Sequence, residues 1–163
     1  MSDKKSYKTV AIIGGGLIGT SLSLSIKKNN LCDVIKVYDS NIEVRKKLKE
    51  RLSPNEIYES LEDTVFDADL VVLCIPVGSM KEVAKSISKL LKDGCILTDT
   101  GSTKNSVIKD VKPYISQNIW FIPSHPLAGT ENSGPEAGFP ELFKGKYWVI
   151  VPYYSIPNEI MDN

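Results

Sequence analysis

Three stretches of the chain carry groups suited to chemistry. The first is Gly14-Gly15-Gly16-Leu17-Ile18-Gly19, which fits G-x-G-x-x-G. In that pattern Gly14 makes a tight turn, Gly16 lets the backbone approach a pyrophosphate, and Gly19 lets a helix pack closely on a sheet. Leu17 and Ile18 open that helix, whose unpaired N–H groups receive the phosphates. Asp39 stands 20 residues beyond Gly19, where a carboxylate accepts both ribose hydroxyls. A 2′-phosphate there would meet a negative charge, so the pattern favours NAD over NADP, with Arg45 as the guanidinium near enough to soften the preference. No G-K-[ST] follows the glycines, which excludes an NTPase P-loop. Without a strand before it and a helix after it, the same motif is only a glycine turn and a surface acid.

The second stretch is Thr98-Asp99-Thr100-Gly101-Ser102-Thr103-Lys104. Ser102 or Thr103 suits the N-cap of a following helix. Equally, Ser102 suits a hydroxyl aimed at a substrate beside the nicotinamide, and local sequence does not separate the two. The third is His125, the single histidine, which Pro126 biases toward extended backbone. With an ordinary pKa of about 6.5, imidazole is a natural base for an alcohol proton during hydride transfer, although a lone histidine is often just a packed residue. With one histidine and three scattered cysteines (Cys32, Cys74, Cys95), no metal site and no disulfide framework is expected.

The elements that must position these groups alternate along the chain. Apolar runs at 8–13, 34–38, 70–75, 95–98, 120–122 and 147–151 read as strands, with a short third strand expected at 56–58. Helix-period segments at 17–28, 41–51, 79–91 and 103–112 lie between them. This alternation predicts an α/β, Rossmann-type doubly wound fold: a mostly parallel sheet with helices on both faces, its ligand beyond the carboxyl ends of the strands. The glycines, Asp39, the 98–104 stretch and His125 each follow a strand. Residues 123–145 break the pattern, with eight Gly or Pro in 23 positions, and read as a long functional loop.

The chain of 163 residues suits one domain. Twenty basic against twenty acidic residues leave zero net charge, which argues against nucleic acid or an anionic membrane as partner. The run 45–51, rich in lysine, is read as a solvated helix face. No apolar run approaches the ~20 residues of a membrane span, and no leader is visible, so a cytoplasmic location is expected.

The block His125-Pro126-Leu127-Ala128-Gly129-Thr130-Glu131-Asn132-Ser133-Gly134-Pro135 resembles the signature of the prephenate and arogenate dehydrogenases. Gly14 to Leu22, Cys74-Ile75-Pro76-Val77 and Asp99 to Lys104 agree with that family in the same order. The resemblance implies oxidative decarboxylation of a cyclohexadienyl substrate with hydride transfer to NAD, in tyrosine biosynthesis. It implies His125 and Ser102 as catalytic, Thr130 and Glu131 as substrate-binding, and Gly14, Gly16, Leu17, Ile18, Gly19, Asp39 and Pro76 as cofactor-binding. Family members continue into a helical domain that forms a homodimer; residues 1–151 then correspond to the NAD-binding domain and 152–163 to the start of a linker. The alternative is a stand-alone NAD-binding or regulatory module, or an inactive truncated dehydrogenase domain. The only arginines are Arg45 and Arg51, neither near His125 in sequence. That leaves Lys104, Lys144 and Lys146 as local cations for a substrate carboxylate.

Overall fold

The computed structural model describes residues 7–151. The proposed linker, 152–163, lies outside the described residues. Five strands, β1 (Tyr7–Ile13), β2 (Cys32–Tyr38), β3 (Leu70–Leu73), β4 (Ile96–Asp99) and β5 (Trp120–Ile122), form one sheet in the order β2-β1-β3-β4-β5. Every neighbouring pair is parallel. Direction of winding reverses between β1 and β3, and the crevice at such a switch point is where open α/β sheets take ligands. The expected third strand at 56–58 is reduced to one parallel bridge, Val37 to Ile57. A 3-10 turn at Pro54–Glu56 uses up the residues that would have extended it.

The helices α1 (Leu17–Lys28), α2 (Ile42–Arg51), α3 (Leu61–Val65), α4 (Val77–Ile87) and α5 (Lys104–Val111) link the strands. Asn41 caps α2 by accepting from Glu43 N at 2.9 Å, and Ser60 caps α3 by accepting from Asp63 N at 3.0 Å. Alternation along β1 sends Val10 and Ile12 to one face and Ala11 and Ile13 to the other. Ala11, Ile13, Val71, Leu73, Leu97 and Phe121 form one apolar layer with Met80, Ala84 and Ile87 of α4 and Val107 and Val111 of α5. Those helix positions recur at i, i+4 and i+7, the stripe that faces a sheet. The opposite layer joins Val10, Ile12 and Val37 to Ile26 of α1 and Leu48 of α2. On this second face a groove remains over β3 to β5, lined by Leu22, Ile26, Val72, Ile122, Trp148 and Ile150.

The segment expected to be one long loop contains a strand. Residues Ser124–Pro126 (β6) pair antiparallel with Trp148–Ile150 (β7), placing His125 opposite Val149. The run at 147–151 is thus a strand, but it pairs only with β6 and stands outside the five-stranded sheet. Three-residue strands carry no readable alternation, and Pro126 counts against one, which is why β6 escapes sequence reading. Between them the chain folds back over α1 and α2. Arg51 donates to the carbonyls of Glu136 and Gly138, Lys47 pairs with Glu136, and Phe139 N donates to Ser21 Oγ.

Candidate active site

The glycine loop joins β1 to α1 at the switch point. Gly14 has φ +104°, a conformation that disfavours any side chain, and a Cβ there would lie 2.2 Å from Cys74 O. At Gly19 a Cβ would lie 1.9 Å from Gly14 O, so the first turn of α1 can seat on the loop only without one. Gly16 differs: a Cβ there meets nothing within 4 Å. It is the N-cap of α1, no side chain caps that helix, and no acidic residue stands in its first turn. The start of α1 thus has neither a capping side chain nor an acid over its leading N–H groups, a cradle suited to an anion.

The adjoining cleft is lined by Gly14, Gly16, Tyr38, Asp39, Cys74, Ile75, Pro76 and Ser79, among others. Asp39 Oδ2 accepts from Gly15 N at 2.7 Å and Oδ1 from Asn41 N at 2.8 Å. Each carboxylate oxygen keeps a lone pair for a ribose hydroxyl. Arg45 lies close by, but Nη1 donates to Asp39 O at 2.6 Å and Nε to Glu59 at 3.0 Å. Those bonds anchor the guanidinium beside Asp39, between the loop after β2 and Glu59. Burial pushes the Cys74 thiol up to about 12, so it lines the cleft as a thiol, not as a thiolate nucleophile.

His125 is half-buried on β6, and its Nδ1 lies 3.0 Å from Thr100 O. A carbonyl can only accept, so in the neutral ring Nδ1 carries the proton and Nε2 keeps its lone pair for an incoming hydroxyl. Ser102 sits in the same β4–α5 turn as Thr100 and is exposed. The N-cap of α5 is Thr103, one of the two residues expected there, but it makes no side-chain cap hydrogen bond, and Ser102 is not the cap. The Ser102 hydroxyl has no hydrogen bond to His125; the imidazole is held by the Thr100 carbonyl instead. Thr130 and Glu131 are exposed in the segment after β6, where Thr130 Oγ1 closes a small turn by accepting from Asn132 N at 3.2 Å.

Lys104 is not a spare cation. Its ammonium donates to Asp99 Oδ2 and to Ser124 O, and its side chain is only 13% exposed while that of Asp99 is fully buried. Burial holds Lys104 below the ordinary lysine range against the opposing pull of Asp99. Sequence reasoning missed this pair as a unit. An acid ending a central strand, followed five residues later by a lysine, was the available signal. Lys144 and Lys146 are exposed, and Lys144 borders a hollow with Lys28 and Asn29 at the far end of α1. Among the described residues no group of three or more His, Cys, Asp or Glu is placed to hold a metal, and no helix is long and apolar enough to cross a membrane.

A parallel sheet wound about a glycine cradle, with an acid closing the second strand, defines a dinucleotide-binding domain of the Rossmann type. The family model for the prephenate dehydrogenase nucleotide-binding domain matches residues 22–163, and the chain belongs to that family. Cyclohexadienyl dehydrogenase of Zymomonas mobilis is 41% identical over 151 residues, which are 93% of this chain and 51% of that protein. Prephenate dehydrogenase of Lactococcus lactis is 32% identical over 88% of this chain and 40% of its own length. The crystal structure of prephenate dehydrogenase from A. aeolicus, in complex with hydroxyphenyl propionate and NAD+, superimposes with a TM-score of 0.86 at 29% identity. It matches 98% of this chain and 56% of its own. The chain thus spans about half the length of the relatives it matches.

Proposed function

We propose that this chain is the NAD-binding, histidine-bearing half of a dehydrogenase that oxidatively decarboxylates prephenate or arogenate. The single observation that carries the reading is the hydrogen bond from His125 Nδ1 to Thr100 O, which leaves Nε2 basic at the ligand edge of a dinucleotide fold. NAD, when bound, supplies the hydride acceptor. Gly14, Gly16, Leu17, Ile18 and Gly19 hold its pyrophosphate, Asp39 its ribose, and Pro76 borders the same cleft. The A. aeolicus relative, solved with NAD+ and a hydroxyphenyl acid, supports this choice of cofactor and of substrate class.

His125 Nε2 accepts the proton of the substrate's ring hydroxyl as a hydride leaves the carbon that bears it. The carbonyl so formed is conjugated through the ring to the carbon bearing the carboxylate. The electron pair of the carbon–carboxylate bond passes into the ring, carbon dioxide departs, and the product is a phenol: 4-hydroxyphenylpyruvate from prephenate, tyrosine from arogenate. Aromatisation makes the step effectively irreversible. Ser102, whose hydroxyl is exposed, bonds the same substrate hydroxyl, and Thr130 and Glu131 border the substrate.

Recognition of the substrate carboxylates belongs largely to residues beyond those described. Arg45 is occupied by Glu59, Arg51 by loop carbonyls and Lys104 by Asp99. Residues 152–163 begin the link to a helical domain that completes the site and forms a homodimer, and the whole enzyme works in the cytoplasm.

The test is turnover of NAD with prephenate or arogenate, read at the absorbance of reduced nicotinamide, in the protein carrying its helical domain. There, His125→Asn cuts turnover about a hundredfold or more while NAD affinity holds. Full activity in that variant would remove His125 from the chemistry. Cofactor binding without turnover, with the helical domain present, would leave a nucleotide-binding module instead.

A further inference from the structure

We infer that Asp99 and Lys104 are positioning residues that keep the imidazole of His125 in the tautomer protonated on Nδ1. The inference rests on the reading of His125 as the base, and it concerns what fixes that base. The ring's partner is a turn carbonyl, Thr100 O. A carbonyl orients an imidazole only if the backbone bearing it and the backbone bearing the ring are locked to one another.

One carboxylate does this locking. Asp99 Oδ2 accepts from Gly101 N at 2.8 Å, which fixes the peptide just after Thr100. Its other oxygen accepts from Ser124 N at 3.2 Å, which fixes the residue just before His125. Ser124 Oγ reaches back to Asp99 O at 2.7 Å and is within 2.8 Å of Trp148 Nε1, a donor on β7. Lys104 closes the frame by donating both to Asp99 Oδ2 and to Ser124 O. The carbonyl side and the imidazole side of the His125 contact are thereby tied through a single buried ion pair.

The chemistry of the pair suits positioning better than stability. A buried ion pair contributes little net stability compared with an apolar pair of the same volume, because desolvation offsets the attraction. What it supplies is directional hydrogen bonding from a group that cannot move without exposing a charge. Two of the three Lys104 N–H donors are committed to Asp99 and Ser124, which fixes where the ammonium lies.

The lone histidine makes the test direct, because one residue supplies the imidazole nitrogen signals of the whole chain. Ring-nitrogen NMR of the ligand-free protein, at a pH where the imidazole is neutral, is expected to show the Nδ1–H tautomer. In Lys104→Met, which keeps most of the buried stem, and in Asp99→Asn, the Nδ1–H signature is expected to give way to a mixture with Nε2–H. The amide spectrum should still report a folded domain. A wild-type ring protonated on Nε2 would overturn the inference with no variant needed. So would a folded Lys104→Met that keeps the wild-type tautomer, and so would loss of folding in both variants, which would assign the pair to stability. The measurement needs neither substrate nor turnover. A tautomer shift without dehydrogenase activity in the intact protein would therefore sink the proposed function and leave this inference standing.

Discussion

At the scale of single residues, the cofactor side of the site was legible because its code is local. Glycine types at fixed spacing, and an acid one strand later, are enough to place Gly14, Gly16 and Asp39 around one crevice, with Gly19 packed beneath the loop. Asp39 also has a task the spacing did not announce: it accepts from Gly15 N and Asn41 N and so braces the glycine loop. Asp39→Ser removes the charge that rejects a 2′-phosphate. The ratio of NAD to NADP affinity should fall by about tenfold or more, each factor of ten corresponding to ~1.4 kcal/mol. Titrating both cofactors into the variant checks this, and an unaltered ratio would reduce Asp39 to a loop brace. The Asp99–Lys104–Ser124 frame was not legible. Its members are brought together by the register of β4 and by a short ribbon, and the acid-to-lysine spacing at 99 and 104 does not by itself point to Ser124.

At the scale of elements, sequence and structure agree where the element is long enough to show its period. The helix over 17–28 is α1 as expected, and the strand over 8–13 needs only Tyr7 added. The helix expected over 79–91 is displaced to Val77–Ile87, and the outright misses are the short pieces. α3 spans five residues and β6 three, too few for a period, although Ser60 three residues before Asp63 is a helix-start signal. The glycine loop yields a prediction that separates packing from binding. Gly19→Ala drives a methyl into Gly14 O and should cost roughly 1–3 kcal/mol in denaturant unfolding as loop and helix are forced apart. Gly16→Ala meets open space, so stability should hold within about 0.5 kcal/mol while NAD affinity falls. Calorimetry and denaturation run on both variants decide it. Equal NAD binding by Gly16→Ala and the wild type would mean that the cradle over α1 is not where the pyrophosphate lies.

At the scale of the whole molecule, the balanced charge first read from composition conceals a specific deployment. Both arginines are structural: one steadies the loop after β2, the other ties the segment 135–138 down onto α2. The sheet divides the interior into two apolar layers, and β1 and β3 contribute side chains to both. That sharing predicts a single cooperative unit. Among the described residues Phe121, 1% exposed, is the largest fully buried side chain and lies in the α4–α5 layer; Leu48, 0% exposed, lies in the other. Phe121→Ala should destabilise by ~3–5 kcal/mol and Leu48→Ala by ~2–5 kcal/mol through lost burial and the cavity left behind. Because the two sites sit on opposite sides of the sheet and share no neighbours in either layer, their effects should add. The sum would consume most of the ~5–15 kcal/mol a domain of this size commands, leaving the double variant largely unfolded at room temperature. Urea unfolding followed by far-ultraviolet circular dichroism and by tryptophan emission should give coincident transitions in the wild type and in each single variant. Trp120 begins β5 and Trp148 lines the groove on the second face, so tryptophan emission samples the sheet edge and that face. A Leu48→Ala transition that split into two steps would show the layers folding as separate units, and would refute the shared strands as the source of cooperativity.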